Sequence, residues 1–179
     1  MLRMRPYKPC DAEDIVSWCE CENTYLVWGG YLFGDYPISP DAMNSKYLEL
    51  NGDCEEKDNF YPMTFFDEEG IRGHLIMRYI RGDDTLLRLG WVILDPAARG
   101  RGYGKEMIRL ALEYAFEILK VNAVTIGVFE NNPAAMNCYL KAGFRTPSII
   151  EDSCHEIKGE TWKIAELMIT KEEYEHDRV

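Results

Sequence analysis

Cations and glycines alternate in one short stretch, Arg99-Gly100-Arg101-Gly102-Tyr103-Gly104-Lys105. The stretch follows a predicted strand that Asp95-Pro96 ends, and it stands at the head of a predicted helix. Glycines there let backbone N–H groups approach a phosphate closely, and the helix N-terminus adds partial positive charge. Because the whole chain has a formal net charge of −11, such a cluster of cations indicates an anionic ligand, and a pyrophosphate is the natural one.

Two nucleotide-binding motifs fail at this loop because their spacing is wrong. A P-loop needs Ser or Thr after its lysine, whereas Glu106 follows Lys105. A dinucleotide fingerprint needs a third glycine where this chain has Lys105 or Met107. Binding of ATP or NAD is therefore disfavoured but stays a third interpretation, and a glycine-rich turn without a ligand is another alternative.

A second segment combines helix signals with a chemically useful side chain. Asn132 is a good N-cap before Pro133 at the first helical position, and Gly143 stands where a glycine ends a helix. Tyr139 lies on this helix, and its phenol, with a pKa near ~10, is a group that can donate a proton. A core tyrosine and a purely structural cap are the alternatives.

The elements that must position these segments belong to one predicted domain spanning residues 1–179. Apolar periodicity predicts a strand–helix–strand unit around the helix 103–120, and therefore a parallel pair of strands. The other elements alternate in a three-layer α/β arrangement around a mixed, mostly antiparallel sheet. The predicted strands cover residues 2–7, 60–66, 71–81, 85–94, 123–129, 146–150 and 161–169, and the predicted helices begin after Asp11, span 41–48 and 103–120, and run from Asn132 to Gly143.

Arg99-x-x-Gly102-x-Gly104 resembles the [Gln/Arg]-x-x-Gly-x-[Gly/Ala] pyrophosphate loop of the GNAT superfamily of N-acetyltransferases. Asn132-Pro133-Ala134-Ala135-Met136-Asn137-Cys138-Tyr139-Leu140-Lys141-Ala142-Gly143-Phe144 is similar to that family's Asn-x-x-Ala-x-x-x-Tyr-x-x-x-Gly-Phe. The N-terminal pattern and the length look most like the branch that includes ribosomal-protein alanine N-acetyltransferases. The resemblance implies an α/β/α GNAT fold with six to seven strands and a splayed parallel pair at the acetyl-CoA site.

The resemblance also implies roles for individual residues. Backbone groups of Val92, Ile93 and Leu94 would bind the pantetheine arm, and the loop Arg99–Lys105 would hold the pyrophosphate of acetyl-CoA. Asn132 would contact the cofactor, and Tyr139 would face the thioester sulfur as general acid. The implied reaction is direct acetyl transfer to a primary amine, either a protein N-terminus or a small cationic amine. A catalytically weak acyl-CoA-binding or sensor module with the same fold is the alternative.

The general base and the acceptor site are less defined. Where some family members carry a Glu, five residues before the Asn motif, this chain has Gly127. Glu130 is the nearest carboxylate in sequence and the candidate base, with a solvated charge or a water held by backbone carbonyls as alternatives. One wall of the acceptor site is predicted from the aromatic side chains of Trp28, Tyr31 and Tyr36, with packing in the core or a loop as the alternative. The acidic loop 53–58 is a candidate for attracting a cationic acceptor, with a solvated surface loop as the alternative.

Composition excludes several other classes of protein. The negative net charge argues against nucleic acid or an anionic membrane as the main partner, and no apolar run is long enough for a membrane span. The six cysteines and three histidines lack metal-ligand spacing, so we expect no metal site and reduced thiols. We therefore expect a cytoplasmic protein, and the resemblance implies an enzyme, a monomer or homodimer, whose partners are acetyl-CoA and an amine.

Overall fold

The computed structural model describes residues 1–52, 59–80, 82–146 and 153–176. Seven strands form one sheet in the order β1-β2-β3-β4-β5-β7-β6. The pairs β1–β2, β2–β3, β5–β7 and β6–β7 are antiparallel, whereas β4 and β5 are parallel. The mixed, mostly antiparallel sheet with one parallel pair is therefore confirmed. The strands are β1 (Arg3–Pro6), β2 (Tyr61–Asp67), β3 (Gly70–Ile80), β4 (Asp83–Leu94), β5 (Ala123–Phe129), β6 (Ser153–Ile157) and β7 (Glu160–Thr170).

Six α-helices accompany the sheet in the described ranges: α1 (Ala12–Ser17), α2 (Glu22–Trp28), α3 (Pro40–Gly52), α4 (Tyr103–Glu113), α5 (Pro133–Lys141) and α6 (Lys171–His176). The helix predicted over 103–120 is α-helical only to Glu113, and a π-helical turn follows over Tyr114–Ile118. In that turn the Leu119 N–H donates to the Tyr114 carbonyl, five residues back. The sequence did not predict three short elements, α2, β6 and α6.

The structure differs from one local expectation, and two other predicted segments lie almost entirely outside the described residues. Asp11 does not cap α1 with its side chain, because its carboxylate accepts hydrogen bonds from Arg5, Thr64 and the Lys8 N–H instead. The predicted strand 146–150 and the acidic loop 53–58 lie outside the described residues, except for Thr146.

The chain divides into two compact units that interleave in sequence, Met1–Arg78 with Trp91–Met107, and Tyr79–Gly90 with Ile108–Val179. The domain boundary of 1–179 stays a prediction. In the first unit, helices lie on both faces of the sheet, because residues of opposite parity on β3 pack against different helices. Ile76 belongs to the apolar cluster of α1, α2 and α3, whereas an added Cβ at Gly73 would lie 2.5 Å from the Met107 sulfur of α4.

The second unit is built on β5, β7 and the first part of β4. Val124, Ile126 and Val128 alternate along β5 and are buried. Leu167 and Ile169 of β7 pair in register with two of these positions, so their side chains share one buried face. No helix in the described ranges is long and apolar enough to cross a membrane.

Candidate active site

The loop Arg99–Lys105 forms an open glycine-rich turn before α4. A short helix, Pro96–Ala98, precedes it, and the Asp95 Oδ1 caps that helix by accepting from the Ala97 N–H at 2.9 Å. Gly100 and Gly102 have φ values of 72° and 86°, which favour glycine. A Cβ on either would meet nothing within 4 Å, so the backbone faces open space. The predicted strand–loop–helix context is confirmed.

The loop carries three exposed cations. Arg99, Arg101 and Lys105 are exposed, and none forms an ion pair with another residue in the described ranges. The Arg101 guanidinium lies over the Tyr103 ring, 5.4 Å from its centroid. By contrast, Arg5, Arg72 and Arg88 all pair with carboxylates. Positive charge beside free backbone N–H groups at a helix N-terminus suits a phosphate group.

The end of β4 is bent where it approaches this loop in sequence. Trp91 has a φ of 45°, which is unusual for a residue with a side chain and interrupts the regular strand. The Trp28 indole N–H donates to the Trp91 carbonyl at 2.9 Å. A Cβ on Gly29 would lie 3.2 Å from the Trp91 ring, so the glycine admits that ring. Beyond the bend Ile93 is buried, whereas Val92 and Leu94 are half-buried.

The predicted caps of α5 are both present. The Asn132 Oδ1 accepts from the Ala135 N–H at 3.2 Å, and Pro133 occupies the first turn. Gly143 ends the helix with a φ of 104°, and the Phe144 N–H donates to the Tyr139 carbonyl at 3.2 Å. Phe144 is fully buried, as a residue packing behind a helix end should be.

Tyr139 is only 6% exposed. Burial raises the pKa of its phenol above the ordinary value, and the neighbouring Cys138 thiol raises it further. The phenol therefore keeps its proton at neutral pH and has one to give.

Glu130, the predicted base, is exposed at the end of β5, and its backbone N–H donates to the Lys163 carbonyl at 3.0 Å. An ion pair covers the nearby Gly127: Arg88 binds Glu166 through contacts of 2.7 and 2.8 Å. A Cβ on Gly127 would lie 2.6 Å from Arg88 Nη2 and 3.2 Å from Glu166 Oε1. Glu166 is thus a second carboxylate near this position, and sequence reasoning missed it because only strand pairing brings it opposite Gly127.

The aromatic segment is mainly packed. Trp28 is buried and its indole is committed to Trp91, while Tyr31 and Tyr36 are half-buried. The Tyr36 hydroxyl donates to the Cys19 carbonyl at 3.4 Å. A role of Trp28, Tyr31 and Tyr36 as an acceptor wall stays a prediction.

The other chemistry-bearing residues are scattered. Among the residues that the structure describes, no group of three or more His, Cys, Asp or Glu is placed to hold a metal ion. Cys10, Cys19, Cys21, Cys138 and Cys154 form no disulfide bond with one another.

Comparison with known proteins places the chain in a family. The model of the GNAT acetyltransferase domain matches residues 1–145. The probable N-acetyltransferase YjcK of Bacillus subtilis (strain 168) is 34% identical over 151 residues, which cover 83% of this chain and 82% of that protein. The spermidine N(1)-acetyltransferase of Vibrio cholerae is 34% identical over only 53 residues, or 30% of this chain and 31% of that protein.

Solved structures agree on the fold. The spermidine N-acetyltransferase of Vibrio cholerae in complex with CoA and spermine has a TM-score of 0.78 at 21% identity, covering 97% of each chain. A dodecameric structure of that enzyme has a TM-score of 0.71 at 20% identity, covering 97% of this chain and 95% of the other.

This chain belongs to the GNAT acetyltransferase family. It is an N-acetyltransferase, an enzyme of the class whose acetyl donor is acetyl-CoA. The residues present suit that donor, since an open loop of positive-φ glycines carries cations that pair with no carboxylate in the part of the chain that the structure describes. The likeness to the ribosomal-protein branch stays a prediction.

Proposed function

We propose that this protein transfers the acetyl group of acetyl-CoA directly to a primary amine, with Tyr139 as general acid. The observation that carries the proposal is the loop Arg99–Lys105, whose exposed cations and open glycines lie at the N-terminus of α4. Acetyl-CoA supplies an activated thioester and, in its pyrophosphate, the anion that such a loop binds.

Each residue then has a stated task. Arg99, Arg101 and Lys105 neutralise the pyrophosphate, while backbone N–H groups of Gly100–Gly104 donate to its oxygens. The half-buried end of β4, Val92–Leu94, offers backbone groups to the pantetheine arm. Asn132 keeps α5 capped and contacts the cofactor, and the Tyr139 hydroxyl gives its proton to the departing sulfur.

Two carboxylates are candidates for the base that deprotonates the amine. Glu130 is exposed and free to accept a proton through water, whereas Glu166 is bound on both oxygens by Arg88. Both oxygens of a carboxylate held this way already accept hydrogen bonds from the guanidinium, so an incoming proton would have to displace that partner. We therefore keep Glu130 as the base, and an amine that is partly neutral at pH 7 to 8 needs little help.

Glutamine substitutions at both carboxylates separate these candidates. Glu130→Gln should lower the rate by ~10-fold below pH 8 and less at pH 9, where more of the amine is already neutral. Glu166→Gln should leave the shape of the pH–rate profile unchanged. The reverse pattern would transfer the role to Glu166, and two unchanged profiles would leave a bound water as the base.

The acceptor is a protein N-terminus or a small cationic amine. A polyamine heads the second group, since a structural neighbour is described as binding spermine and this chain is strongly acidic. The oligomeric state, monomer or homodimer, and the cytoplasmic location are proposed from the sequence.

Calorimetric titration with acetyl-CoA beside ATP and NAD tests the donor. Micromolar binding of acetyl-CoA alone is the expected result, and binding of a nucleotide instead would contradict the proposal. Release of free CoA thiol is then followed with spermidine, with a peptide of free N-terminus, and with the same peptide N-acetylated as control. Tight binding without turnover on any amine would favour the weak acyl-CoA-binding module.

A further inference from the structure

One ion pair outside the glycine loop is bonded on both sides of it, to Asp95 before the short helix Pro96–Ala98 and to Tyr103 within the loop. Asp67 ends β2 and Arg72 belongs to β3, and the Arg72 Nε lies 3.1 and 3.0 Å from the two Asp67 oxygens. At the entry to the loop, Arg72 Nη1 donates to Asp95 Oδ2 at 3.0 Å. At its exit, the Tyr103 hydroxyl donates to Asp67 Oδ2 at 2.7 Å.

Backbone contacts reinforce the entry side. The Asp95 N–H donates to the Arg72 carbonyl at 2.8 Å, so Arg72 holds Asp95 through both main chain and side chain. The second oxygen of Asp95 caps the short helix Pro96–Ala98. The three charged side chains are 5 to 14% exposed, so little solvent competes for these bonds. The Arg72 and Tyr103 hydrogen bonds lower the pKa of Asp67, which therefore stays charged throughout the neutral range.

The loop needs such support, because its own residues provide little. In the described ranges, the N–H groups of Gly100, Arg101 and Gly102 form no backbone hydrogen bond, and both glycines face open space. A turn of this composition samples many conformations when its ends are free. Donors that must converge on one anion bind it better when they are ordered in advance.

We infer that Asp67 and Arg72, with Tyr103 and Asp95, form a clamp that fixes the spacing of the loop ends and so prearranges the loop for the pyrophosphate of CoA. The inference rests on the proposed function. Arg72 and Asp67 are positioning residues, since they act through the loop. Tyr103, expected from the sequence to bind the cofactor, directs its hydroxyl to Asp67 and serves the same purpose.

The competing explanation is that Asp67 and Arg72 only stabilise the hairpin between β2 and β3. Comparing the binding of CoA with that of pantetheine separates this explanation from the clamp. Arg72→Lys keeps the charge but cannot bridge two carboxylates with a planar fork. Tyr103→Phe removes a single hydroxyl and keeps the ring. The matched control is Arg5→Lys, because Arg5 binds Asp11 through contacts of 2.7 and 2.8 Å in the same unit and does not bond to the loop.

Dissociation constants are measured by calorimetry for CoA and for pantetheine, which lacks the pyrophosphate. Arg72→Lys and Tyr103→Phe should weaken CoA binding by ~10-fold and leave pantetheine within ~2-fold, while Arg5→Lys changes neither. Amide hydrogen exchange of residues 99–105 in the free protein should accelerate in both clamp variants, and that of α5 should not. The Tyr103→Phe variant decides the matter if Arg72→Lys fails to fold.

Two results would overturn the clamp while leaving the proposed function standing. One is an equal loss of affinity for CoA and for pantetheine in the clamp variants. The other is an unchanged CoA affinity in Tyr103→Phe together with unchanged amide exchange at residues 99–105. Wild-type protein that binds no CoA would overturn both together.

Discussion

The two motif segments are held in place in opposite ways. Residues Asn132–Phe144 carry their own supports, because the cap, the first-turn proline and the terminating glycine all lie inside the segment. The loop Arg99–Lys105 depends on residues far away in sequence, since its exit is tied to Asp67, 36 positions earlier. Both are GNAT motifs, yet one is locally encoded and the other is completed only by tertiary structure.

The same contrast holds for the bend of β4. The unusual backbone at Trp91 is supported by Trp28, 63 residues earlier, and by the space that Gly29 leaves for the Trp91 ring. A strained position persists when its surroundings over-determine it, and here they come from α2 and its end. We therefore expect α5 to tolerate distant changes that disturb the loop and the bend.

The largest effect is expected at Tyr139, the proposed general acid. Tyr139→Phe should lower the rate by ~100-fold or more, because the phenol proton is lost while the ring and its packing remain. Acetyl-CoA affinity should stay within a few-fold, as measured by calorimetry beside steady-state kinetics. Near wild-type activity would remove Tyr139 from the mechanism, and an equal loss of affinity would make it a packing residue.

Trp28→Phe tests how far the bend depends on its distant support. The change removes the donor to the Trp91 carbonyl and part of a buried ring, so the free energy of unfolding should fall by about 2 kcal/mol. The control is Trp162→Phe, a half-buried indole whose partner Glu160 is exposed, and it should change stability by less than ~0.5 kcal/mol. If Trp28 instead forms an acceptor wall, the KM of the amine should rise without a comparable loss of stability.

The sequence predicted those features that depend only on residues close together in the chain. The strand Ala123–Phe129 and the helix after Asn132 have the predicted bounds, because apolar alternation and capping residues mark them directly. The partners of the loop could not be found this way, since Asp67 and Arg72 read as an ordinary hairpin turn. Glu166 was missed for the same physical reason, because its position opposite Gly127 follows from strand register alone. The short helix α2 was hidden by the aromatic and glycine content around it.

The free energy of unfolding should fall in acid because His74 of the first unit is buried. His74 is fully buried and bonded to the Tyr47 hydroxyl at 2.7 Å, and burial lowers its pKa to about 3 although Asp11 opposes the shift. The unfolded chain takes up a proton near pH ~6.5 that the folded chain refuses, so stability falls as pH decreases below that value. The loss should reach about 2 kcal/mol at pH 5.

Urea unfolding at pH 7, 6 and 5 measures this loss. His74→Gln cannot titrate, so its stability should be lower at pH 7 but nearly flat down to pH 5. His155→Gln, at a half-buried position of β6, is the control and should keep the wild-type slope. Equal slopes in His74→Gln and wild type would show that another group carries the acid sensitivity.

The smallest change is expected where support is local. Asn132→Ala removes the acceptor of the Ala135 N–H and should cost about 1 kcal/mol of unfolding free energy. Asn132→Ser restores a capping oxygen without the amide, so it should recover most of that stability. Acetyl-CoA affinity separates the two roles of Asn132. If the side chain only caps the helix, Asn132→Ser should restore binding as well as stability. If it also contacts the cofactor, affinity should stay reduced in both variants. In the second case both Asn132–Phe144 and the loop Arg99–Lys105 contact the cofactor. The two segments then differ only in the contacts that hold them in the free protein, which are local in the first and distant in sequence in the second.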